Sequence, residues 1–148
     1  DAYWADDARI IERSLLQSEA EAIAKIRNCS GWSGLYFGGT AFKKQRPVAR
    51  DDFEDAASRA VPFMDVVTTS GVATGQKADL CKISNFRSGV ANHALAVASG
   101  ITPENVRDYR AIDCFLVATG INMAGDFYNI DRRRLNELIT ITNDMEPS

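Results

Sequence analysis

The chain has 148 residues, of which 45% are hydrophobic and 25% charged, and its formal net charge is −3. That length and composition are typical of a soluble globular protein with a substantial core, and the slight acidity argues against a nucleic-acid-binding domain. No apolar run approaches 18 residues, so we expect no transmembrane segment. Three widely spaced cysteines favour reduced thiols and a cytoplasmic location, and the single histidine argues against a structural zinc site. Nothing in the sequence indicates a cofactor.

The first half of the chain predicts two helices and two strands. Apolar residues recur at helical spacing over residues 7–27, which form the first predicted helix. An aromatic-rich strand is predicted over 32–42, although its glycines weaken it. A second helix is predicted over 51–60, with Asp51 or Asp52 as its N-cap. A buried strand is predicted over 64–69.

The second half continues the alternation of strands and helices. It predicts a helix over 79–90, a strand over 93–98, a helix that begins at Thr102 and Pro103, a strand over 114–118 and a helix over 131–142 capped by Asp131. Strands that are apolar throughout and separated by helices predict a parallel sheet covered on both faces. We therefore expect a single α/β domain over residues 1–148.

Three of the predicted strands end in a small hydroxyl residue and a glycine. Ligands of parallel α/β proteins bind at the carboxyl ends of the strands, where backbone N–H groups and hydroxyls hold anions. The sequence therefore predicts a phosphate site, and the alternative is that these are the ordinary turn residues of parallel strands. The candidate phosphate-binding residues are Ser70, Gly71, Thr74, Gly75, Ser99, Gly100, Thr119 and Gly120.

Lys43 is the candidate catalytic residue, because a lysine after the first predicted strand can neutralise an anion or serve as a general acid or base. Lys44 is interpreted as solvated. His93 lies at the opposite end of its strand and is interpreted as structural. We expect Cys81 and Cys114 to pack in the core, and the run of arginines at 132–134 to be solvated.

Several blocks of the sequence together resemble the BtpA family, named for a cyanobacterial protein needed for photosystem I biogenesis. They occur in the same order and at the same spacing as in the family, most specifically between Asp65 and about Leu138. The blocks are Ser70-Gly71-Val72-Ala73-Thr74-Gly75 followed by Asp79-Leu80, Ser99-Gly100-Ile101-Thr102-Pro103-Glu104-Asn105-Val106, Asp113 to Gly125, and Asp131-Arg132-Arg133-Arg134.

The resemblance implies a TIM-type barrel that binds phosphate, of which this chain is about the last four strand–helix units. A half-barrel would leave strand edges exposed. The chain is therefore expected either to form a homo-oligomer or to lack an N-terminal half. The implied function is binding of a phosphorylated small molecule at the carboxyl ends of the strands, with an enzymatic reaction on a sugar phosphate or nucleotide.

Two departures from the family pattern keep a non-catalytic alternative open. Family members usually carry an Asp before a Lys-His pair at the end of the first strand, where this chain has Gly39 and then Lys43 and Lys44. The basic residues that follow the last strand in the family are also missing here. The alternative function is therefore an assembly or biogenesis factor with a decayed active site. An open, flavodoxin-like sheet is the alternative fold.

Overall fold

The computed structural model describes residues 1–145, in which five strands and four α-helices follow one another along the chain. The strands are β1 (Ala2–Ala5), β2 (Leu35–Gly39), β3 (Val66–Thr69), β4 (Ala94–Val97) and β5 (Cys114–Phe115). The α-helices are α1 (Ser18–Ser30), α2 (Phe53–Ala60), α3 (Leu80–Val90) and α4 (Arg132–Asn143). Short 3₁₀ turns occupy Arg50–Asp52, Val61–Phe63, Val106–Tyr109 and Thr119–Ile121.

The strands form one parallel sheet in the order β1-β2-β3-β4-β5, so that every strand pairs with its neighbour in sequence. Crossovers between parallel strands are right-handed, and an unbroken succession of them winds the sheet in one direction. A flavodoxin-like sheet has the order 2-1-3-4-5, so the flavodoxin-like alternative is wrong. The prediction of a parallel TIM-type half-barrel is confirmed, with five strands rather than four.

The hydrophobic core lies between the sheet and the helices. Val67 and Leu95, which are register partners on β3 and β4, are fully buried in it. On the other face of the same strands, Thr68 and Ala96 are also fully buried, as expected for a sheet that curls toward its own inner face. Phe86 of α3 is fully buried and packs at 6.1 Å from the ring of Phe53.

An aspartate braces strands β4 and β5 at the end of the sheet where the strands begin. The Oδ2 atom of Asp113 accepts hydrogen bonds from the backbone N–H of Leu95 at 2.8 Å and from the Arg87 guanidinium at 2.5 Å. Arg87 also donates to the carbonyls of Ala111 and His93. The brace therefore joins α3, β4 and the segment leading into β5.

The same arrangement recurs between β2 and β3. The Oδ2 atom of Asp65 accepts from the backbone N–H of Tyr36 at 2.6 Å and from Arg27 at 2.5 Å, and Arg27 also donates to the carbonyl of Gly34. In both braces the aspartate directly precedes a strand, the N–H group belongs to the strand before it, and the arginine comes from the helix that leads into that earlier strand. These contacts fix strand register at the end of the sheet away from the ligand-binding end of such folds.

The helix predicted over 7–27 begins only at Ser18. The buried side chain of Gln17 bonds to the amide and the carbonyl of Ile11 and to the carbonyl of Ser14, which closes the preceding segment into a loop. Leu15 is 89% exposed, so the apolar spacing did not describe a buried helix face. The prediction was wrong over this segment because local side-chain bonds compete with helical ones.

The helix predicted from Thr102 is also wrong. The Asn105 side chain accepts from the backbone N–H of Thr102 and donates to the carbonyl of Gly100, and only the short 3₁₀ turn Val106–Tyr109 follows. Strand β1 was not predicted at all. Strand β5 is shorter than the predicted 114–118, because the chain turns into the 3₁₀ segment Thr119–Ile121 shortly after it.

Candidate functional site

A cavity of about 370 Å³ lies at the carboxyl ends of β4 and β5 and is lined by the loops that follow four of the strands. Its size is within the range of small-molecule sites. Strand β1 also contributes Trp4, whose ring packs edge-on against Phe42 at 5.8 Å. Seven of the nine predicted site residues line this cavity, namely Lys43, Thr74, Gly75, Ser99, Gly100, Thr119 and Gly120.

Lys43 is the one charged side chain among the described residues that line this cavity. Its Nζ atom donates to the Ser99 hydroxyl at 3.3 Å, and that hydroxyl donates to the carbonyl of Ala73 at 3.1 Å. The loops after β2, β3 and β4 therefore meet at this lysine. With one cation, three hydroxyls and no carboxylate in the described lining, the cavity has the charge that an anionic ligand requires.

Ser70 and Gly71 lie outside the lining of this cavity. The Ser70 hydroxyl is fully buried, where it accepts from the backbone N–H of Lys43 at 2.8 Å and donates to the carbonyl of Gly71 at 2.8 Å. A Cβ on Gly71 would overlap the carbonyl oxygen of Gln76. These two residues therefore shape the loop after β3 and position Lys43 through its backbone.

Contacts between neighbouring loops explain two of the site glycines. Gly100 has φ +63°, and a Cβ there would overlap the backbone N atom of Lys77. A Cβ on Gly120 would overlap the carbonyl oxygen of Ile101. Gly75 differs, because at φ +76° its nearest neighbour would be the Thr119 hydroxyl at 3.7 Å, which leaves room on its cavity side.

Arg134 of α4 is hydrogen-bonded to the loop that follows β5. It donates to the carbonyl of Gly120 at 3.1 and 3.0 Å and forms a two-point ion pair with Glu104 at 2.7 and 2.9 Å. The Arg134 guanidinium lowers the pKa of Glu104 to about 2. Sequence reasoning placed Arg134 in solvent with its neighbours, and this was wrong, whereas Asp131 caps α4 as predicted by accepting from two backbone N–H groups.

Lys82, near the start of α3, was missed by sequence reasoning. Its Nζ atom donates to the carbonyls of Ala41 at 2.6 Å and Ser70 at 2.9 Å, and it lies 5.2 Å from the ring centroid of Phe53 and 5.6 Å from that of Phe86. Burial lowers the pKa of this lysine to about 8. No signal in the sequence marked this lysine, because its burial depends on the packing of Phe53 and Phe86 around it.

The other residues considered in the sequence lie outside the cavity. His93 is bonded through Nε2 to the carbonyl of Met64 at 3.0 Å, at the end of the sheet away from the cavity. Cys81 is exposed rather than in the core, and burial raises the pKa of the half-buried Cys114 thiol.

Residues 1–145 contain no cluster of three His, Cys, Asp or Glu side chains arranged to hold a metal ion. None of the helices described is both long enough and apolar enough to span a membrane.

Comparisons with known proteins extend the description of the fold. No protein-family model matches the chain, and a search of curated proteins found no relative. Among solved structures, the chain is similar to phosphoribosyl anthranilate isomerase from Thermus thermophilus, at 12% sequence identity and a TM-score of 0.51. The match covers 86% of this chain and 81% of that one.

The chain has the fold of a TIM-type half-barrel. At 12% identity the likeness shows the fold alone. The resemblance to the BtpA family finds no support in these comparisons and stays a prediction from the sequence blocks.

Proposed function

We propose that the cavity at the ends of β4 and β5 binds the phosphate group of a phosphorylated small molecule. The observation that carries this proposal is the contact between the Lys43 ammonium and the Ser99 hydroxyl in a cavity whose described lining contains no carboxylate. Thr74 and Thr119 add hydroxyl donors from the neighbouring loops. A compact ammonium among hydroxyls and backbone N–H groups is a common way for proteins to hold phosphate.

The rest of the lining favours a ligand that carries an apolar or ring-shaped part beside its phosphate. Trp4, Phe115 and Leu116 supply apolar surface next to the polar loops. A sugar phosphate or a nucleotide has this combination of groups. The Thermus isomerase, whose name identifies a phosphoribosyl compound as its substrate, is consistent with that class but does not define the ligand here.

Lys43 is the residue that we propose for chemistry. Its ammonium would neutralise the phosphate and would be the proton donor closest to the bound molecule. Lys43 is the only acidic or basic side chain among the described lining residues. An isomerisation that needs one acid and one base would therefore need its second group from the ligand.

Because the described lining contains no second acidic or basic side chain, a second candidate function is binding without turnover. A Cβ on Gly39, where family members usually carry an Asp, would overlap the carbonyl oxygen of Asp6, so this backbone does not accommodate a carboxylate there. A chain that keeps the phosphate-holding loops without a second catalytic group is suited to a regulatory or assembly role. The biogenesis role implied by the BtpA resemblance is of this kind.

The binding test compares ribose 5-phosphate with ribose in a thermal unfolding assay. A ligand that binds only the folded state at a concentration a hundred times its Kd adds about 2.7 kcal/mol of stability. We expect ribose 5-phosphate to raise the Tm and ribose not to. Lys43→Met should weaken binding at least tenfold. Lys44→Met, which removes an exposed lysine outside this cavity in the same loop, should leave it within twofold.

Equal shifts with ribose and ribose 5-phosphate, or unchanged binding in Lys43→Met, would overturn the phosphate site. Turnover is tested separately by following a panel of phosphorylated sugars and nucleotides by ³¹P NMR in the presence of the protein. Conversion that disappears in Lys43→Met supports the enzyme. Binding of a panel member without any conversion supports the non-catalytic function.

A further inference from the structure

A second, larger cleft lies on the other side of the loop that follows β3. Its volume is about 730 Å³. The loop forms a wall of both spaces, with Gly71 and Val72 lining the second cleft while Thr74 and Gly75 line the first. The second cleft shares no lining residue with the proposed phosphate site.

The lining of the second cleft is mainly apolar. Val72 is 83% exposed and Leu80 is 50% exposed, and together they present exposed aliphatic surface in one depression. Phe53, Val48 and Ala78 continue the apolar surface between them. The cleft therefore offers burial to an apolar group rather than to a bare inorganic ion.

The charges around this cleft are unbalanced toward positive. Its lining includes three cations, Arg50, Lys77 and Lys82, and one carboxylate, Asp79. That carboxylate is already engaged, because it pairs with Arg50 at 2.7 Å and accepts from the backbone N–H at Cys81 as the cap of α3. Two lysines remain, neither of which forms an ion pair within residues 1–145.

Lys82 has a donor left for a ligand. An ammonium carries three N–H groups, and the carbonyls of Ala41 and Ser70 accept two of them. Partial burial without a carboxylate partner is costly for a cation, and burial lowers the pKa of Lys82 to about 8. An anionic group placed beside it would offset that cost.

We propose that this second cleft binds a small amphipathic carboxylate, with its acid group at Lys82 and Lys77 and its apolar body against Phe53, Val72 and Leu80. The carboxylate accepts the free N–H of Lys82, and the apolar body covers the exposed aliphatic side chains. This site stands independently of the proposed phosphate site, since it uses other residues on the opposite side of the loop.

The test uses 4-phenylbutyrate as the probe and its neutral amide, 4-phenylbutyramide, as the matched compound, with binding measured by isothermal titration calorimetry on the full chain. We expect the carboxylate to bind at least tenfold more tightly than the amide. Lys82→Met keeps most of the side-chain stem and should weaken binding of the carboxylate at least tenfold. Lys25→Met, at an exposed position on α1, is the control and should leave binding unchanged.

A second variant covers the case in which Lys82→Met does not fold, which circular dichroism would show. Val72→Asp alters an exposed side chain and places a charge against the proposed apolar body of the ligand, so it should also weaken binding at least tenfold. The proposal is overturned if the amide binds as tightly as the carboxylate, if folded Lys82→Met or Val72→Asp binds like the unmodified chain, or if millimolar 4-phenylbutyrate gives no binding heat.

Discussion

Replacing Asp113 tests whether the aspartate brace fixes β4 against the segment that leads into β5. Asp113→Ala removes the acceptor of the Leu95 backbone N–H. Because Leu95 is fully buried, its N–H group would be left unpaired, which costs about 1–3 kcal/mol. The lost ion pair with Arg87 adds less than about 1 kcal/mol, because the Asp113 side chain is 48% exposed. We therefore expect Asp113→Ala to lower the free energy of unfolding by about 1–4 kcal/mol.

Asp113→Asn separates the two contributions. The amide oxygen of asparagine can still accept from Leu95, so only the charge is lost, and we expect a decrease of about 1 kcal/mol or less. The measurement is urea unfolding followed by far-UV circular dichroism, with equal m-values required for the comparison.

Asp108→Ala is the control. Asp108 is exposed, and its side chain makes no hydrogen bond that the structure records in the described range, so its change should stay within about 0.5 kcal/mol. Equal losses in Asp113→Ala and Asp113→Asn would refute the argument, since the bond to the backbone N–H would then contribute nothing.

Two further predictions concern the core and the loop behind the proposed phosphate site. Phe86→Ala should lower the free energy of unfolding by about 3–5 kcal/mol, measured by the same urea assay, because Phe86 is fully buried, whereas Phe127→Ala at a 67% exposed position should change it little. The pKa of Glu104 is lowered from 4.5 to about 2, so its ion pair stabilises the fold above pH 4.5 and is lost as the pH falls toward 2. With Glu104 62% exposed, that loss is at most about 1 kcal/mol, and Arg134→Met should reduce it in unfolding curves measured across this pH range, because the ion pair is the largest cause of the lowered pKa and the Thr102 side chain is the next.

The predictable part of the fold is the part whose signals are local. Strands β3 and β4 are short runs in which almost every residue is buried; β4 is apolar throughout, and β3 consists of two valines and two threonines, which are also β-branched. Helix α4 begins where Asp131 caps it, a signal that needs only the next three residues. Such elements are specified by their own residues, and the parallel half-barrel follows from their alternation.

The elements that were missed are defined by particular strand-pairing and side-chain contacts, some local and some distant, rather than by a residue pattern. Strand β1 has four residues, three of them exposed, and is defined by its pairing with β2 rather than by a pattern of its own. Residues 7–17 read as a helix but are held as a loop by Gln17 and by the contact of Arg13 with Asp52. Neither contact can be read from spacing.

The residues of the site likewise differ in whether the sequence alone identifies them. Hydroxyl residues at strand ends were identifiable, because parallel strands bring their carboxyl ends to one edge. Trp4 and Lys82 were not identifiable, since one lies on an unpredicted strand and the other owes its burial to Phe53 and Phe86 from two helices.

The glycines of the site change the choice of experiment. The sequence suggests that Gly100 and Gly120 allow a ligand to approach the backbone, but the structure gives both an internal reason, because a side chain at either would overlap the backbone of a neighbouring loop. A bulky residue at either position would disrupt the packing between the loops. Loss of ligand binding in such a variant would therefore not show that phosphate binds at that glycine. Lys43 carries no such packing requirement in the contacts described, whereas the Ser99 hydroxyl also donates to the carbonyl of Ala73 in the neighbouring loop. Substitution of the Lys43 side chain therefore reports on the ligand, and substitutions at the glycines report on the fold that holds them.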